Sequence, residues 1–339
     1  MPLPPRPPPK PKPGAGPSAE TILDRKRGAL MGLAVGDALG ATHEFKQVMA
    51  PGFPTLMEGH KEIVGGGPFG VKPGQVTDDT QMAICLATSL RTAKAFSAED
   101  VIARYRSWAS VAFDIGAQTK EVLTHQLQNW PYDASKAVWL KSQKRAAGNG
   151  SLMRTAPIGV FFSKETDARA KASVDDAALT HYDPRCQLAC VAFNSAIAHS
   201  IHRSEKLTHQ QLLGSVSSEI GIGANHFGKR DREFVRDTQD AIEALRKDLK
   251  IAGEDDPKLY GPELHIHQMQ GFVRVAFRYA FWHFLHQSPF EAALIDIVNR
   301  GGDTDTNAAI AGALLGAWYG ENAIPSRWRT AVTGALEFG

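Results

Sequence analysis

The chain reads as an all-α protein, and three observations say so. Apolar residues recur at helical spacing over 79–93, 98–110, 116–128, 185–202, 208–222, 231–249, 266–286, 289–299 and 306–319. Segments that alternate with a period of two, as half-buried strands do, are scarce. The three strand-like runs, such as 158–162, are short enough to be turns of buried helix. Gly28, Gly32, Gly36 and Gly40 recur every four residues, as do Gly312, Gly316 and Gly320. Glycine weakens a helix, so a repeat on one face marks a place where another helix packs unusually close.

A chain of 339 residues, 43% hydrophobic and 22% charged, has the balance of a soluble globular protein and length for one large core or two ordinary ones. The formal net charge is +2, and Arg6, Lys10 and Lys12 near the N-terminus supply +3, which leaves the body near neutral. No basic stripe with interleaved aromatics appears, so nucleic acid is not an expected partner. No apolar run approaches the length of a membrane span and the N-terminus has no signal-peptide core, so the expected location is cytoplasmic, with no membrane partner. Cys85, Cys186 and Cys190 cannot form a disulfide framework; the last two stand four apart, as small buried residues on one helix face do.

Residues 1–17 hold nine of the twenty prolines, which predicts a disordered, polyproline-like arm over 1–18 and one folded domain over 19–339. Ser18 is placed to cap a first helix whose apolar positions include Ile22, Ala29, Leu30, Leu33 and Ala34. Asp37 interrupts the first glycine stretch, and both stretches are too short to be dimerising spans in lipid. Residues 46–76, rich in Gly and Pro, predict a loop. The charged stretches 229–232 and 253–256 predict solvated faces and turns.

Two helix starts carry an excess of acid. Asp303-Thr304-Asp305-Thr306 follows Gly301-Gly302 and places two carboxylates and two hydroxyls in four residues, with no Lys or Arg between them. It runs into a small, apolar segment from Ala308 to Tyr319, and Thr77-Asp78-Asp79-Thr80 opens a second helix in the same way. Acids at a helix start ordinarily satisfy free backbone N–H groups and face the positive end of the helix dipole. One start needs one cap, and four carboxylates exceed that need. Brought together, the two segments would form a cage of hard oxygen ligands suited to Mg²⁺, Mn²⁺ or Ca²⁺ and not to zinc. An EF-hand does not account for Asp303, Asp305 and Asn307, because Ala308 stands where that loop needs Gly and Leu314 where it needs a bidentate Glu.

Other segments are weaker signals when taken singly. His181 lies in a turn just before a helix, whereas His265, His267, His283 and His286 read as ordinary helix or interface residues. Gly148-Asn149-Gly150-Ser151-Leu152-Met153-Arg154 could let backbone N–H groups approach a phosphate, yet it is neither a Walker sequence nor a dinucleotide fingerprint. Asp114-Ile115-Gly116 reads as a turn and Glu44 as a surface carboxylate. No Gly-x-Ser-x-Gly elbow exists, and no cysteine has a local activating partner.

Taken in order, Gly32-Leu33-Ala34-Val35-Gly36-Asp37-Ala38-Leu39-Gly40-Ala41-Thr42-His43-Glu44-Phe45, Thr77-Asp78-Asp79-Thr80-Gln81, Asp114-Ile115-Gly116, the glycine-rich stretch from Gly148 to Arg154, Thr180-His181 and Gly301-Gly302-Asp303-Thr304-Asp305-Thr306 resemble the motifs of the ADP-ribosylglycohydrolase family. The resemblance implies a compact orthogonal helical bundle with two divalent cations, Mg²⁺ or Mn²⁺, at the bottom of a cleft. It implies metal ligands at Thr77, Asp78, Asp79, Asp303, Asp305 and Thr306, and catalytic carboxylates at Glu44, Asp114 and Asp79. It further implies an ADP-ribose cradle at Gly116, Gly148, Asn149, Gly150, Ser151 and Met153, with His181 near the same pocket. The implied activity is removal of ADP-ribose from a modified protein by cleavage of its N-glycosidic bond to arginine. Arg145-Ala146-Ala147 departs from the serine-directed members, which carry a serine and an aromatic residue there, and so weakens a serine-linked reading. Two other readings stand beside it: an immunity protein that blocks an ADP-ribosyltransferase toxin through residues 1–20, with or without hydrolysis, and a two-metal phosphoesterase.

Overall fold

The computed structural model describes residues 16–48, 52–53, 56, 59–125 and 131–337. These residues form fourteen α-helices: α1 (Ala19–Gly40), α2 (Asp78–Ala93), α3 (Ala98–Ala109), α4 (Ala117–Thr124), α5 (Asp133–Lys141), α6 (Ala156–Phe161), α7 (Thr166–Ala178), α8 (Pro184–His202), α9 (His209–Arg230), α10 (Val235–Ile251), α11 (Val273–Leu285), α12 (Phe290–Asn299), α13 (Thr304–Tyr319) and α14 (Ser326–Glu337). No strand occurs among the described residues, only isolated bridges such as Gln47 with Gly301 and Gly148 with Phe272. The fold is all-α, as the periodicity predicts.

Local chemistry explains most boundaries. Ser18 caps α1, its Oγ accepting from the Thr21 N–H at 3.0 Å. The run 158–162 falls in the short helix α6, not in a strand. The helix expected over 266–286 begins only at Val273, because the preceding residues are held as a turn. There the Ile266 N–H donates to the Leu259 carbonyl at 2.9 Å, and Gly271 adopts φ +77°. The segment expected to stop at 222 continues as helix to Arg230. Helices α5, α7 and α14 have no counterpart among the expected segments. In α7 the reason is clear: Arg169, Ser173 and Asp176 are buried beside its alanines, so no apolar stripe shows in the sequence. The stretch 253–256 is exposed as expected, but Asp231 is buried and accepts from Lys136 Nζ at 2.7 Å, a partner that its neighbours in sequence do not reveal.

Residues 1–15 of the expected arm lie outside the described residues; Gly16, Pro17 and Ser18 lead into α1 without helical structure. No helix among the described residues is long and apolar enough to cross a membrane.

Helix α13 is buried at every position from Thr304 to Trp318, and α8 is buried from Pro184 to Ile201 except at Arg185 and His199. Helices that are apolar all round belong inside. Helix α1 lies against α13 with its glycines in the seam. A Cβ on Gly32 would stand 2.1 Å from the Gly312 carbonyl oxygen, one on Gly36 2.1 Å from that of Ala308, and one on Gly28 2.3 Å from that of Gly316. At the end of the seam a Cβ on Gly40 would meet Asp305 Cα at 2.4 Å, and the Thr304 hydroxyl donates to the Gly40 carbonyl at 2.7 Å. The close packing expected from the glycine spacing therefore delivers the C-terminal end of α1 to the first turn of α13.

Gly32→Ala should add about 1 kcal/mol of helix propensity but force its methyl into the α13 backbone, an overpacking that costs about 1–3 kcal/mol or more. Its midpoint of thermal unfolding is expected to fall. Gly221→Ala on α9, where a Cβ meets nothing within 4 Å, is expected to raise it.

Candidate active site

Asp37, fully buried one turn before the end of α1, organises the entry to α2. Its two oxygens accept the Thr77 N–H at 3.0 and 3.1 Å, the Thr80 N–H at 3.1 Å, and the hydroxyls of Thr77 and Thr80 at 2.9 and 2.5 Å. With that turn fixed by a residue outside it, the acids within it are released from capping. Neither Thr77 nor Asp303, the N-cap residues of α2 and α13, makes a side-chain capping bond to its own helix. They face one another instead. Thr77 Oγ1 lies 3.5 Å from Asp305 Oδ2, and Thr306 Oγ1 lies 3.5 Å from Asp79 Oδ2. A third segment is tied in through its backbone. The Phe45 N–H donates to the Gly302 carbonyl at 2.8 Å and the Gly302 N–H to the Lys46 carbonyl at 2.9 Å. This clamp sets Glu44 beside Asp303 and Asp305, with one carboxylate oxygen of each within 4.8 Å of the others.

These acids form one side of a cleft of about 480 Å³, a volume suited to a small molecule. Among the described residues, Glu44, Asp78, Asp114, Asp303 and Asp305 line it, and no Lys or Arg does. The carboxyls respond as crowded acids do. Burial first, then the charges of Asp114 and Asp303, push Glu44 up to about 9. Burial, then Asp114 and Asp37, push Asp78 up to about 8, and burial followed by Asp37 raises Asp114 to about 6. Asp79 and Asp305 are also driven well above the carboxylate range, by burial before any neighbour. Glu44 Oε2 and Asp79 Oδ1 are buried without a hydrogen-bond partner. Buried carboxylates with orphaned oxygens and no counter-charge are costly, and a divalent cation held by hard oxygen ligands removes that cost. The residues present fit such an ion.

The facing wall is built from neutral donors. Asn149 donates from Nδ2 to Asp303 Oδ2 at 2.7 Å, while its N–H is held by the Gly271 carbonyl at 2.9 Å. Gln118 accepts the Gly148 N–H at 3.2 Å and donates to the Thr180 carbonyl at 3.3 Å. Buried Arg154 donates to Thr180 Oγ1 at 2.7 Å, and the same hydroxyl is hydrogen-bonded to His181 Nδ1, 2.8 Å away. Burial, then the Arg154 charge, hold the His181 pKa well below its ordinary value. The ring is therefore neutral. It packs on the glycine loop, where a Cβ on Gly150 would stand 2.9 Å from His181 Cε1 and one on Gly148 3.1 Å from Nε2.

Most of the residues singled out from the sequence line this one cleft: Glu44, Asp78, Asp114, Gly116, Gly148, Asn149, Gly150, Met153, His181, Asp303, Asp305 and Thr306. Thr77 and Asp79 lie directly behind, fully buried against Asp305 and Thr306. Ser151 is turned away, its Oγ against Cys190 Sγ at 3.7 Å. Sequence reasoning passed over Asp37, Gln118, Thr119, Gln270, Phe45 and Phe69. Asp37 had a signal, a lone acid within a glycine-spaced apolar helix that must be buried. Phe45 had the neighbouring Glu44; the others had none, because only the fold brings their segments to the cleft.

The chain is similar to known proteins along nearly its whole length. Residues 18–338 match the ADP-ribosylglycohydrolase family. The chain belongs to the ADP-ribosylglycohydrolase family. It is 28% identical to the ADP-ribosylarginine hydrolase Tri1 of Serratia proteamaculans (strain 568), over 92% of this chain and 76% of that protein. It is 28% identical to the ADP-ribosyl-[dinitrogen reductase] glycohydrolase of Rhodospirillum rubrum, over 92% of this chain and 90% of that one. A solved structure of an ADP-ribosylglycohydrolase-related protein complex superposes with a TM-score of 0.68 at 30% identity, covering 94% of this chain and 95% of its own. As a member of this family, the protein is a glycohydrolase of the class that removes ADP-ribose from proteins.

The acid cluster has a measurable consequence. An acid whose folded pKa is raised contributes stability that is present below its unfolded value and lost as pH rises through the folded one. With ordinary values of 3.8 for Asp78 and 4.5 for Glu44 and folded values of about 8 and about 9, the protein stripped of divalent ions should lose stability steadily from about pH 4 to about pH 9. Thermal unfolding across that range is expected to show the decline without added metal, and Mg²⁺ or Mn²⁺ should flatten it by binding the folded state.

Proposed function

We propose that this glycohydrolase cleaves the N-glycosidic bond between ADP-ribose and an arginine side chain, reversing mono-ADP-ribosylation. The observation that carries the reading is the meeting of Thr77-Asp78-Asp79 with Asp303, Asp305 and Thr306 at a cleft of ligand size that no Lys or Arg lines among the described residues. The name of one similar protein, an ADP-ribosylarginine hydrolase, supports arginine as the linked residue. So does the charge of the cleft, since guanidinium is a cation that carboxylates attract.

Two divalent cations, Mg²⁺ or Mn²⁺, would be held by Thr77, Asp78, Asp79, Asp303, Asp305 and Thr306. When bound, such ions would supply Lewis-acid polarisation of substrate oxygens and of water. The chain's own groups account for the rest. The glycine loop from Gly148 to Gly150, the Gly116 turn, Met153 and the neutral His181 ring orient ADP-ribose. Departure of the guanidine leaves positive, oxocarbenium-like charge on the ribose, which the surrounding carboxylates stabilise. Glu44 and Asp114 are the carboxylates of the cleft left for proton transfer. A water attacking the reacting ribose carbon gives up a proton, and the leaving guanidine takes one.

Arginine-, serine- and O-acetyl-linked ADP-ribose, each incubated with and without divalent metal, separate the linkages by the product released. Intact ADP-ribose from the arginine substrate, dependent on metal, is the expected result; AMP or inorganic phosphate would favour a phosphoesterase. Asp303→Ala and Asp78→Ala are expected to lower the rate by about 100-fold or more, and an unaltered rate would refute the ligand assignment.

A further inference from the structure

Three phenylalanines stand where solvent meets the acid side of the cleft. Phe45, Phe69 and Phe113 are 48%, 40% and 44% exposed, although phenylalanine is ordinarily a core residue. Phe45 and Phe69 line the cleft. Phe113 packs edge-on to Phe69, with ring centroids 6.2 Å apart at 66°. Two of them adjoin the acids: Phe45 follows Glu44 in the chain, and Phe113 precedes Asp114. Exposed apolar groups gathered at a binding cleft mark an interaction site.

The backbone at Phe45 strengthens this. Its φ is +62°, a region that costs a bulky residue about 1 kcal/mol or more and a glycine almost nothing. The clamp to Gly302 needs only the backbone of this residue, since its N–H makes the bond at 2.8 Å. Glycine would do that work without strain. What phenylalanine adds is an aromatic ring at the mouth of the cleft, held there against the preference of its own backbone.

We infer that Phe45, Phe69 and Phe113 form the docking surface for the carrier side of the substrate: the modified arginine and the polypeptide segment that bears it. The inference rests on the arginine reading above and extends it to recognition. With the ribose placed over the acid cluster, the leaving side chain must run outward past Glu44 and Asp114. That path offers a guanidinium two carboxylates and aromatic faces and no competing cation, since no Lys or Arg lines the cleft among the described residues. Guanidinium is weakly hydrated and stacks on aromatic rings, so the rim binds it without stripping a tight water shell. The partner of this surface is thus a segment with an arginine at its centre, its aliphatic stem on Phe69 and its planar head towards Glu44 and Asp114.

The test compares a protein substrate carrying ADP-ribosyl-arginine with free ADP-ribose, which lacks the carrier. In the double variant Phe69→Ala/Phe113→Ala, kcat/KM on the modified protein is expected to fall about tenfold, chiefly through KM. The affinity for free ADP-ribose, read by calorimetry, should stay within about twofold of wild type. Phe69→Leu/Phe113→Leu keeps apolar bulk, folds with less risk, and should show the same direction. Phe45→Gly should unfold at an equal or higher temperature while losing kcat/KM on the modified protein, a combination that a structural role would not give. Unchanged kcat/KM in these variants would overturn the inference. So would an equal loss of affinity for free ADP-ribose, which would assign the rim to the nucleotide. Failure of the underlying reading looks different: wild-type protein would then release nothing from the arginine substrate.

Discussion

Helices α1 and α13 touch backbone to backbone, and the site exists because they do. Any side chain larger than hydrogen at Gly28, Gly32, Gly36 or Gly40 would collide with the main chain or first residues of α13. The seam ends at Asp305, so the register of the two helices is also the register of the acids. One turn before the end of α1, Asp37 takes four groups of the Thr77–Thr80 turn. Just past it, the strained residue Phe45 pins Glu44 to Gly302. A slip of α1 along α13 by one turn would separate all three segments, a displacement of about 5 Å. Glycine costs each helix stability, and the return is a fixed relation among residues about 40 to 270 positions apart.

That relation is electrostatically unfavourable in the bare chain. Five carboxylates around one cleft, with buried oxygens that accept no hydrogen bond, work against folding. The rest of the molecule shows that the chain can neutralise buried acid when it needs to. Asp176 has Arg154, Glu219 has Arg169, and Asp248 has Arg274 and Arg278, all at ion-pair distance and all buried except the half-buried Arg274. The contrast is within one protein. Acids that serve the fold are given arginines, and acids at the cleft are not, so their counter-charge must come from outside.

Much of this was legible in the sequence. Helical periodicity gave the fold class, glycine spacing gave the seam, and the excess of acid at two helix starts gave the cluster. Each is a local signal with a direct physical cause. What escaped was what depends on long-range contact. Helix α7 buries Arg169 and Asp176 in ion pairs, so it lacks the apolar stripe by which helices are recognised. The 266–272 segment looked helical by its apolar content but is bent by Gly271, whose carbonyl then holds the Asn149 N–H. Ser151 sits in the right loop yet turns inward to Cys190, because adjacent residues in a tight turn cannot all face one side. Gln118, Phe69 and Phe113 are ordinary residues in ordinary surroundings until the fold places them at the cleft.

The two sides of the cleft are chemically unlike, and this asymmetry orients a substrate. One side is acid. The other is neutral, with His181 kept uncharged by burial and by Arg154 behind it. ADP-ribose is asymmetric in the matching sense: an anionic diphosphate at one part, and at the other a ribose whose reacting carbon becomes positive. In the function proposed, the reacting ribose lies on the acid side, where its developing positive charge is stabilised, and the diphosphate on the neutral one. Among the described residues no cationic side chain lines the cleft, so the charge that balances its acids is a metal's, while the arginines of the chain neutralise acids in the core.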